Sequence, residues 1–93
     1  MIKTIQIIVS GRVQGVCFRA NTQKIALIHQ IDGWVKNCPD GRVEIRARAD
    51  SQQLDQLIAW CHKGPLFAKV DSVTVSDMPI ESPEPAVGFI ITQ

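Results

Sequence analysis

Hydrophobic and polar positions along this chain follow two different periods. Residues 3–10 predict a strand, because Ile5, Ile7 and Val9 occupy alternate positions with polar side chains between some of them. Residues 18 to about 30 predict a helix, because core-facing positions recur there at intervals of three and four. The chain is therefore expected to open with a strand that leads through a glycine-containing turn into a helix.

The middle of the chain predicts a hairpin followed by a second helix. Residues 33–38 and 42–49 read as strands, and the Asp-Gly step between them is a strong hairpin signal. Asp50 or Ser51 is expected to cap the next helix. That helix is expected to end at Gly64, which a proline follows. The apolar stripe of that helix consists of Leu54, Leu57, Ile58 and Cys61.

The last third of the chain predicts two more strands. Residues 70–75 and 87–92 have strand character, and the proline-rich residues 78–86 read as a loop. The resulting order is β-α-β-β-α-β with a final short strand. This order predicts an α+β fold, a two-layer sandwich in which two helices cover one face of an antiparallel sheet. We also expect the last strand to lie at an exposed edge of the sheet.

Length and charge narrow the classes of function. A chain of 93 residues predicts a single domain, residues 1–93. Ten basic and nine acidic residues give a formal net charge of +1, which argues against a nucleic-acid partner but allows one small anionic ligand. No apolar run is long enough to span a membrane, and no secretory signal is evident. We therefore expect a cytoplasmic protein without a membrane partner.

Cysteine and histidine positions predict no metal site. The three cysteines, Cys17, Cys38 and Cys61, form no Cys-x-x-Cys pair, and the two histidines have no ligand spacing. Cys61 reads as a core residue. Cys17 and Cys38 are interpreted as small, partly buried residues, and the alternative is that modification of either thiol lowers activity.

The turn between the first strand and the first helix carries the most chemical information. Residues 11–19 read Gly-Arg-Val-Gln-Gly-Val-Cys-Phe-Arg, which is neither a P-loop nor a dinucleotide-binding motif. Glycines let backbone N–H groups converge, and the helix that follows presents free donors and the positive end of its dipole. Arg19 adds a cation in the first turn. These features are those of an anion cradle, although an ordinary turn with a surface arginine explains them equally well.

Two segments resemble the signatures of the acylphosphatase family. One is residues 11–19, and the other is residues 33–44, which read Gly-Trp-Val-Lys-Asn-Cys-Pro-Asp-Gly-Arg-Val-Glu. The resemblance covers essentially the whole chain and implies a ferredoxin-like two-layer α/β sandwich. It also implies an enzyme that hydrolyses the carboxyl–phosphate bond of small acyl phosphates without a metal or cofactor. Inorganic phosphate is expected to be both its product and an inhibitor. The oligomeric state is left open by the sequence, and a monomer is expected because nothing demands more.

The resemblance also implies roles for individual residues. Arg19 would bind the phosphate, and Asn37 would position and polarise the attacking water. The loop would bind the remaining phosphate oxygens through the backbone N–H groups of Gln14, Gly15, Val16, Cys17 and Phe18. The chemistry needs little else, because the leaving carboxylate has a conjugate acid of pKa about 4 and departs without a protein acid.

Two other functions remain as alternatives. The first is a non-catalytic, ferredoxin-like regulatory or small-anion-binding domain. The second is an RNA-binding sheet, which the near-neutral charge and the lack of aromatic residues on the strand 42–49 disfavour. One departure from the family pattern concerns the end of the first helix, where Gln30 replaces the usual glycine and is expected to adopt a left-handed conformation.

Overall fold

The computed structural model describes residues 1–79 and 87–92. Its elements are β1 (Ile2–Arg12), α1 (Phe18–Ile28), β2 (Asp32–Asn37), β3 (Val43–Asp50), α2 (Ser51–Lys63), β4 (Lys69–Met78) and β5 (Phe89–Ile91). The predicted order of elements and the two-layer α+β sandwich are confirmed. β1 and β4 are longer than predicted and β5 is shorter. Of the predicted loop 78–86, Met78 belongs to β4, and residues 80–86 lie outside the described residues.

The five strands form one sheet in the order β4-β1-β3-β2-β5. Every pair is antiparallel except β2 and β5, which are parallel, so the prediction of a wholly antiparallel sheet is wrong at this edge. The cause is visible in one row of paired residues, in which Met78, Thr4, Arg48 and Asp32 follow one another across the sheet. β4 therefore ends at the same end of the sheet at which β2 begins. β5 also starts at that end, on the edge opposite β4, and so it runs parallel to β2.

The core lies between the helices and one face of the sheet. Ile7, Ile45 and Val35 form a continuous row across β1, β3 and β2, and all three are fully buried. The alternate positions lie on the other face, where Gln6 donates a hydrogen bond to Glu44 over 2.8 Å. The helices contribute the buried residues Phe18, Thr22, Ala26, Leu54, Leu57 and Cys61. Burial on a single face explains the alternating pattern of β3.

The start of α2 and the end of α1 both follow from the local sequence. Asp50 precedes α2, and its backbone N–H donates to Gln53 Oε1 over 2.9 Å, which confirms the predicted capping box. α1 ends in a Schellman motif, in which Ile31 N–H donates to the Ala26 carbonyl over 2.8 Å and Gln30 N–H donates to Leu27. Gln30 has a φ of 56°, which confirms the predicted left-handed conformation.

Several polar contacts hold β5 at its edge of the sheet. Asp32 Oδ1 accepts a hydrogen bond from Gly88 N–H over 2.8 Å, and Gly33 N–H donates to the Gly88 carbonyl over 2.9 Å. Gln23 of α1 donates to the Phe89 carbonyl over 2.9 Å, and Phe89 is buried in the core. These contacts fix the position of β5 against β2 and α1, and the strand order confirms that it is an edge strand.

Candidate active site

The two sequence motifs meet at one end of the sheet. In the row that closes this end, Val9 of β1 lies opposite Val43 of β3, which lies opposite Asn37 of β2. Beyond Val9, β1 continues to Arg12, and residues 13–17 then lead into α1. The connection from β1 to α1 and the last residue of β2 are therefore neighbours in space.

A cavity of about 360 Å³ lies between these segments. Its lining consists of Val13, Gly15, Cys17, Phe18, Arg19, Ala20, Asn37 and Ile91. Five of the predicted site residues are thus brought together, namely Gly15, Cys17, Phe18, Arg19 and Asn37. The other two, Gln14 and Val16, are absent from the lining. Val16 packs against the core, and the side chain of Gln14 reaches the β2–β3 hairpin.

The loop between β1 and α1 has the backbone shape of an anion-binding nest. Gly15 has a φ of 75°, and Cys17 is left-handed with φ 63° and ψ 26°. A left-handed residue directly before a helical one turns successive backbone N–H groups toward a common concave side. Phe18 holds the loop against the core, because its ring is buried and its centroid lies 5.1 Å from that of the Trp60 ring.

Arg19 places a cation beside the nest. It is the second residue of α1, whose first turn holds no acidic residue, so its charge adds to the positive end of the helix dipole. No carboxylate among residues 1–79 and 87–92 forms an ion pair with it. Arg19 lines the cavity, and a guanidinium group can donate two hydrogen bonds to an anion bound there.

Asn37 brings an unsatisfied acceptor to the cavity. Its Oδ1 is buried and has no hydrogen-bond partner within the part of the chain that the structure describes. A buried polar atom in this state costs about 1–3 kcal/mol relative to a paired one. A donor that enters with a ligand, such as a water molecule, would satisfy it.

The hairpin after Asn37 is held in place from two sides. Within it, Cys38 N–H donates to the Arg42 carbonyl over 2.8 Å. Asp40 accepts hydrogen bonds from the backbone N–H and the guanidinium of Arg42, which together hold the pKa of the Asp40 carboxyl below its usual value. From outside, Gln14 Nε2 donates to the carbonyls of Cys38 and Arg42 over 2.8 and 2.9 Å.

The three thiols differ in exposure. Cys17 is exposed in the cavity, so the interpretation of this residue as partly buried is wrong. Cys38 is partly buried, and burial together with the nearby Glu44 carboxylate raises its pKa. Cys61 lies in the core, where desolvation raises its pKa to about 12. Of the three, Cys17 is the thiol that a reagent in the cavity would meet.

Two side chains lie where the motifs alone do not place them. Ile91 of β5 forms part of the cavity wall, although it lies far beyond both motifs in sequence. Trp34, which lies within the second motif, is not part of the lining. It is flanked instead by Lys36 and Arg46, whose cationic groups lie 5.3 and 5.4 Å from its ring centre.

Among residues 1–79 and 87–92 there is neither a metal-binding cluster nor a helix that could span a membrane. No group of three or more His, Cys, Asp or Glu side chains is arranged to hold a metal ion there. No helix in these ranges has the length and hydropathy needed to cross a membrane.

The family model, the similar sequences and the similar structures all indicate the same family. The family model described as Acylphosphatase matches residues 5–91. An acylphosphatase of Methylococcus capsulatus is 44% identical over 78 residues, which cover 84% of this chain and 85% of the relative. One of Marinobacter nauticus is 49% identical over 73 residues, 78% of this chain and 79% of the relative. The crystal structure of acylphosphatase from Bacillus subtilis matches with a TM-score of 0.90 at 36% identity, covering 100% of both chains.

Proposed function

This chain belongs to the acylphosphatase family and is an acylphosphatase, and from that premise we propose which of its residues bind the substrate and how they act. Arg19 and the backbone N–H groups of residues 14–18 bind the phosphoryl group of a small acyl phosphate. Asn37 positions the water that attacks the phosphorus. The observation that carries this proposal is the single cavity that Arg19 and Asn37 both line.

The reaction needs positioning and charge stabilisation more than acid or base catalysis. The water oxygen forms a bond to phosphorus as the bond from phosphorus to the carboxyl oxygen breaks. The electron pair of that bond leaves with the carboxylate, and the proton of the water passes to an oxygen of the phosphate product. Charge on the phosphoryl oxygens is stabilised by Arg19 and the nest, whose donors are already oriented before the substrate arrives.

We propose that the reaction requires no metal ion. The leaving carboxylate is stable as an anion at neutral pH, so no Lewis acid has to neutralise it. In a loose transition state the nucleophile also needs little activation, which suits a neutral amide such as Asn37. The test is hydrolysis of benzoyl phosphate with and without a chelator. Equal rates are expected, and a rate that falls with chelation and returns with added metal would overturn this part of the mechanism.

Substitution of the two side chains separates binding from turnover. Arg19→Gln is expected to abolish inhibition by inorganic phosphate and to lower kcat/KM by about 10³-fold or more, because it removes the cation that contacts the phosphoryl group. Asn37→Ala is expected to lower kcat by about 10²-fold while phosphate inhibition persists. Steady-state kinetics with benzoyl phosphate, and with phosphate as inhibitor, measure both effects.

Arg12→Gln is the matched control for Arg19→Gln. Arg12 is exposed at the end of β1 and is absent from the cavity lining, so loss of its charge is expected to change kcat/KM only slightly. Similar losses in the two variants would mean that general positive charge, not a contact of Arg19, binds the substrate.

Loss of phosphate inhibition in Asn37→Ala would contradict the role given to Asn37. Phosphate binding by the unaltered chain without turnover would indicate an anion-binding domain.

The remaining properties follow from the same site. We propose that residues 1–93 act as a single domain and as a monomer, because Arg19 and Asn37, the two proposed catalytic residues, already meet at one cavity within one chain. Inorganic phosphate is proposed to inhibit by occupying the nest that binds the substrate's phosphoryl group. The free cysteines among the described residues suit a reducing compartment, which supports a cytoplasmic location.

A further inference from the structure

The amide side chain of Gln14 joins the two halves of the site. Gln14 belongs to the loop that carries the nest, and its Nε2 donates to the carbonyls of Cys38 and Arg42 over 2.8 and 2.9 Å. Both N–H bonds of one NH₂ group are used. The contacts cross from the connection between β1 and α1 to the hairpin between β2 and β3. The whole of α1 and β2 lies between these two segments in sequence.

The two acceptors are the carbonyls that also close the hairpin. The Cys38 carbonyl accepts from Gly41 N–H over 3.1 Å, and the Arg42 carbonyl accepts from Cys38 N–H over 2.8 Å. Gln14 therefore uses the second lone pair of each oxygen. Because Cys38 directly follows Asn37, the contact with its carbonyl lies one residue from the side chain proposed to hold the water.

We propose that Gln14 is a positioning residue, whose side chain holds Asn37 and its water in line with the phosphoryl group bound by the nest and Arg19. The inference rests on the proposed role of Asn37. In-line attack requires an alignment that a displacement of about 1 Å can impair by 10²-fold. Contacts within each half, such as those of Asp40 with Arg42, do not set the distance between the halves.

The first test is Gln14→Met, which keeps the length of the side chain and removes both donors. We expect kcat for benzoyl phosphate to fall by about 10-fold or more, while the inhibition constant of inorganic phosphate changes less than about 2-fold. This split follows because the nest and Arg19 still bind phosphate, but the water is no longer aligned. Weaker phosphate inhibition with an unchanged kcat would overturn the proposal, since Gln14 would then act on the nest.

A double-mutant cycle shows whether Gln14 acts through Asn37. In the Asn37→Ala background, Gln14→Met is expected to lower kcat by less than about 2-fold, because the group that it positions is already missing. An equal fold-loss in both backgrounds would overturn the proposal and leave the role of Asn37 intact. If Asn37→Ala itself has an unaltered kcat, the proposed role of Asn37 fails, and the role of Gln14, which rests on it, fails with it.

Gln53→Met is the matched control. Gln53 Nε2 also donates to a backbone carbonyl, that of His29, over 2.7 Å, but this contact joins α1 to α2 away from the cavity. Its variant is expected to lower the melting temperature without the loss of kcat. A comparable loss of kcat in Gln53→Met would mean that general loosening explains both variants and would overturn the proposal.

Gln14→Glu provides a second readout if Gln14→Met does not fold. An ionised carboxylate cannot donate to the two carbonyls, whereas its protonated form can donate to one of them. Activity relative to the unaltered chain is therefore expected to rise as pH falls through the pKa of the introduced carboxyl. A ratio that stays constant over this range would overturn the proposal.

Discussion

At the scale of single residues, Cys17 combines an exposed thiol with an uncommon backbone conformation. It is left-handed, it directly precedes α1, and it is an exposed residue in the lining of the cavity. A left-handed conformation costs a residue with a side chain about 1–2 kcal/mol relative to glycine. The loop has this costly conformation at the residue where the proposed phosphate nest meets α1.

We expect alkylation of Cys17 to inactivate the enzyme. An added carbamidomethyl group would occupy space in the cavity, and bound phosphate should protect the thiol. Cys38 should react more slowly at a given pH because its raised pKa leaves less thiolate, and buried Cys61 should not react in the folded protein. Residual activity and mass spectrometry of peptides after iodoacetamide treatment measure these outcomes.

Cys17→Gly is the control for this prediction, because glycine adopts the same conformation and has no thiol. This variant should keep nearly all of its own starting activity after the same treatment. If the unaltered chain keeps full activity with Cys17 fully alkylated, the prediction is wrong.

The sequence could predict some of the site's residues but not others. Arg19 and Asn37 lie in two motifs with recognisable spacing, and the structure brings them to one cavity. Ile91 could not be predicted, because its place in the wall depends on how β5 pairs with β2. The hydrogen bonds from the Gln14 side chain to the β2–β3 hairpin could not be predicted either, because they also depend on tertiary contacts. The left-handed Cys17 had no signal either, since cysteine has no preference for that conformation.

At the scale of elements, the end of α1 is stabilised by its hydrogen bonds and destabilised by one residue. The Schellman motif pairs the carbonyls of Ala26 and Leu27, but Gln30 occupies the position that favours glycine. We expect Gln30→Gly to raise the free energy of unfolding by about 1 kcal/mol. In a chain of this length, that corresponds to an increase in melting temperature of about 4–8 °C.

Gln56→Gly tests whether the gain depends on backbone conformation. Gln56 is exposed inside α2, where glycine should lower stability by about 0.5–1 kcal/mol. Urea unfolding should therefore give midpoint shifts of opposite sign for the same substitution. A lower midpoint for Gln30→Gly would show that contacts of the Gln30 side chain outweigh the strain of its backbone.

The periodicity of the sequence predicted the helices and strands better than it predicted which strands pair and in which direction. The alternation in residues 43–50 and the stripe in α2 each reflect burial on one face, which the order of residues records directly. The parallel pairing of β5 depends instead on the end of the sheet at which β4 stops. No residue within β5 encodes that direction, so a strand pattern alone left the pairing open.

At the scale of the whole molecule, phosphate binding should be coupled to global stability. A ligand that binds only the folded state stabilises it by about 2.7 kcal/mol at 100 times its dissociation constant. We therefore expect inorganic phosphate to raise the melting temperature of the unaltered chain and of Asn37→Ala. Arg19→Gln should show almost no increase. Differential scanning calorimetry with sodium chloride at equal ionic strength as control measures the shift, and equal shifts in all three proteins would contradict a specific site.

The wall that Ile91 completes gives the enzyme a temporal order of assembly. The nest comes from the first part of the chain, whereas Ile91 belongs to β5, and β1 must pair with both β3 and β4. Such long-range pairing slows folding relative to that of local structures. A nascent chain therefore has residues 13–19 long before Ile91 can close the cavity wall, and we expect hydrolysis to begin only after β5 has paired with β2.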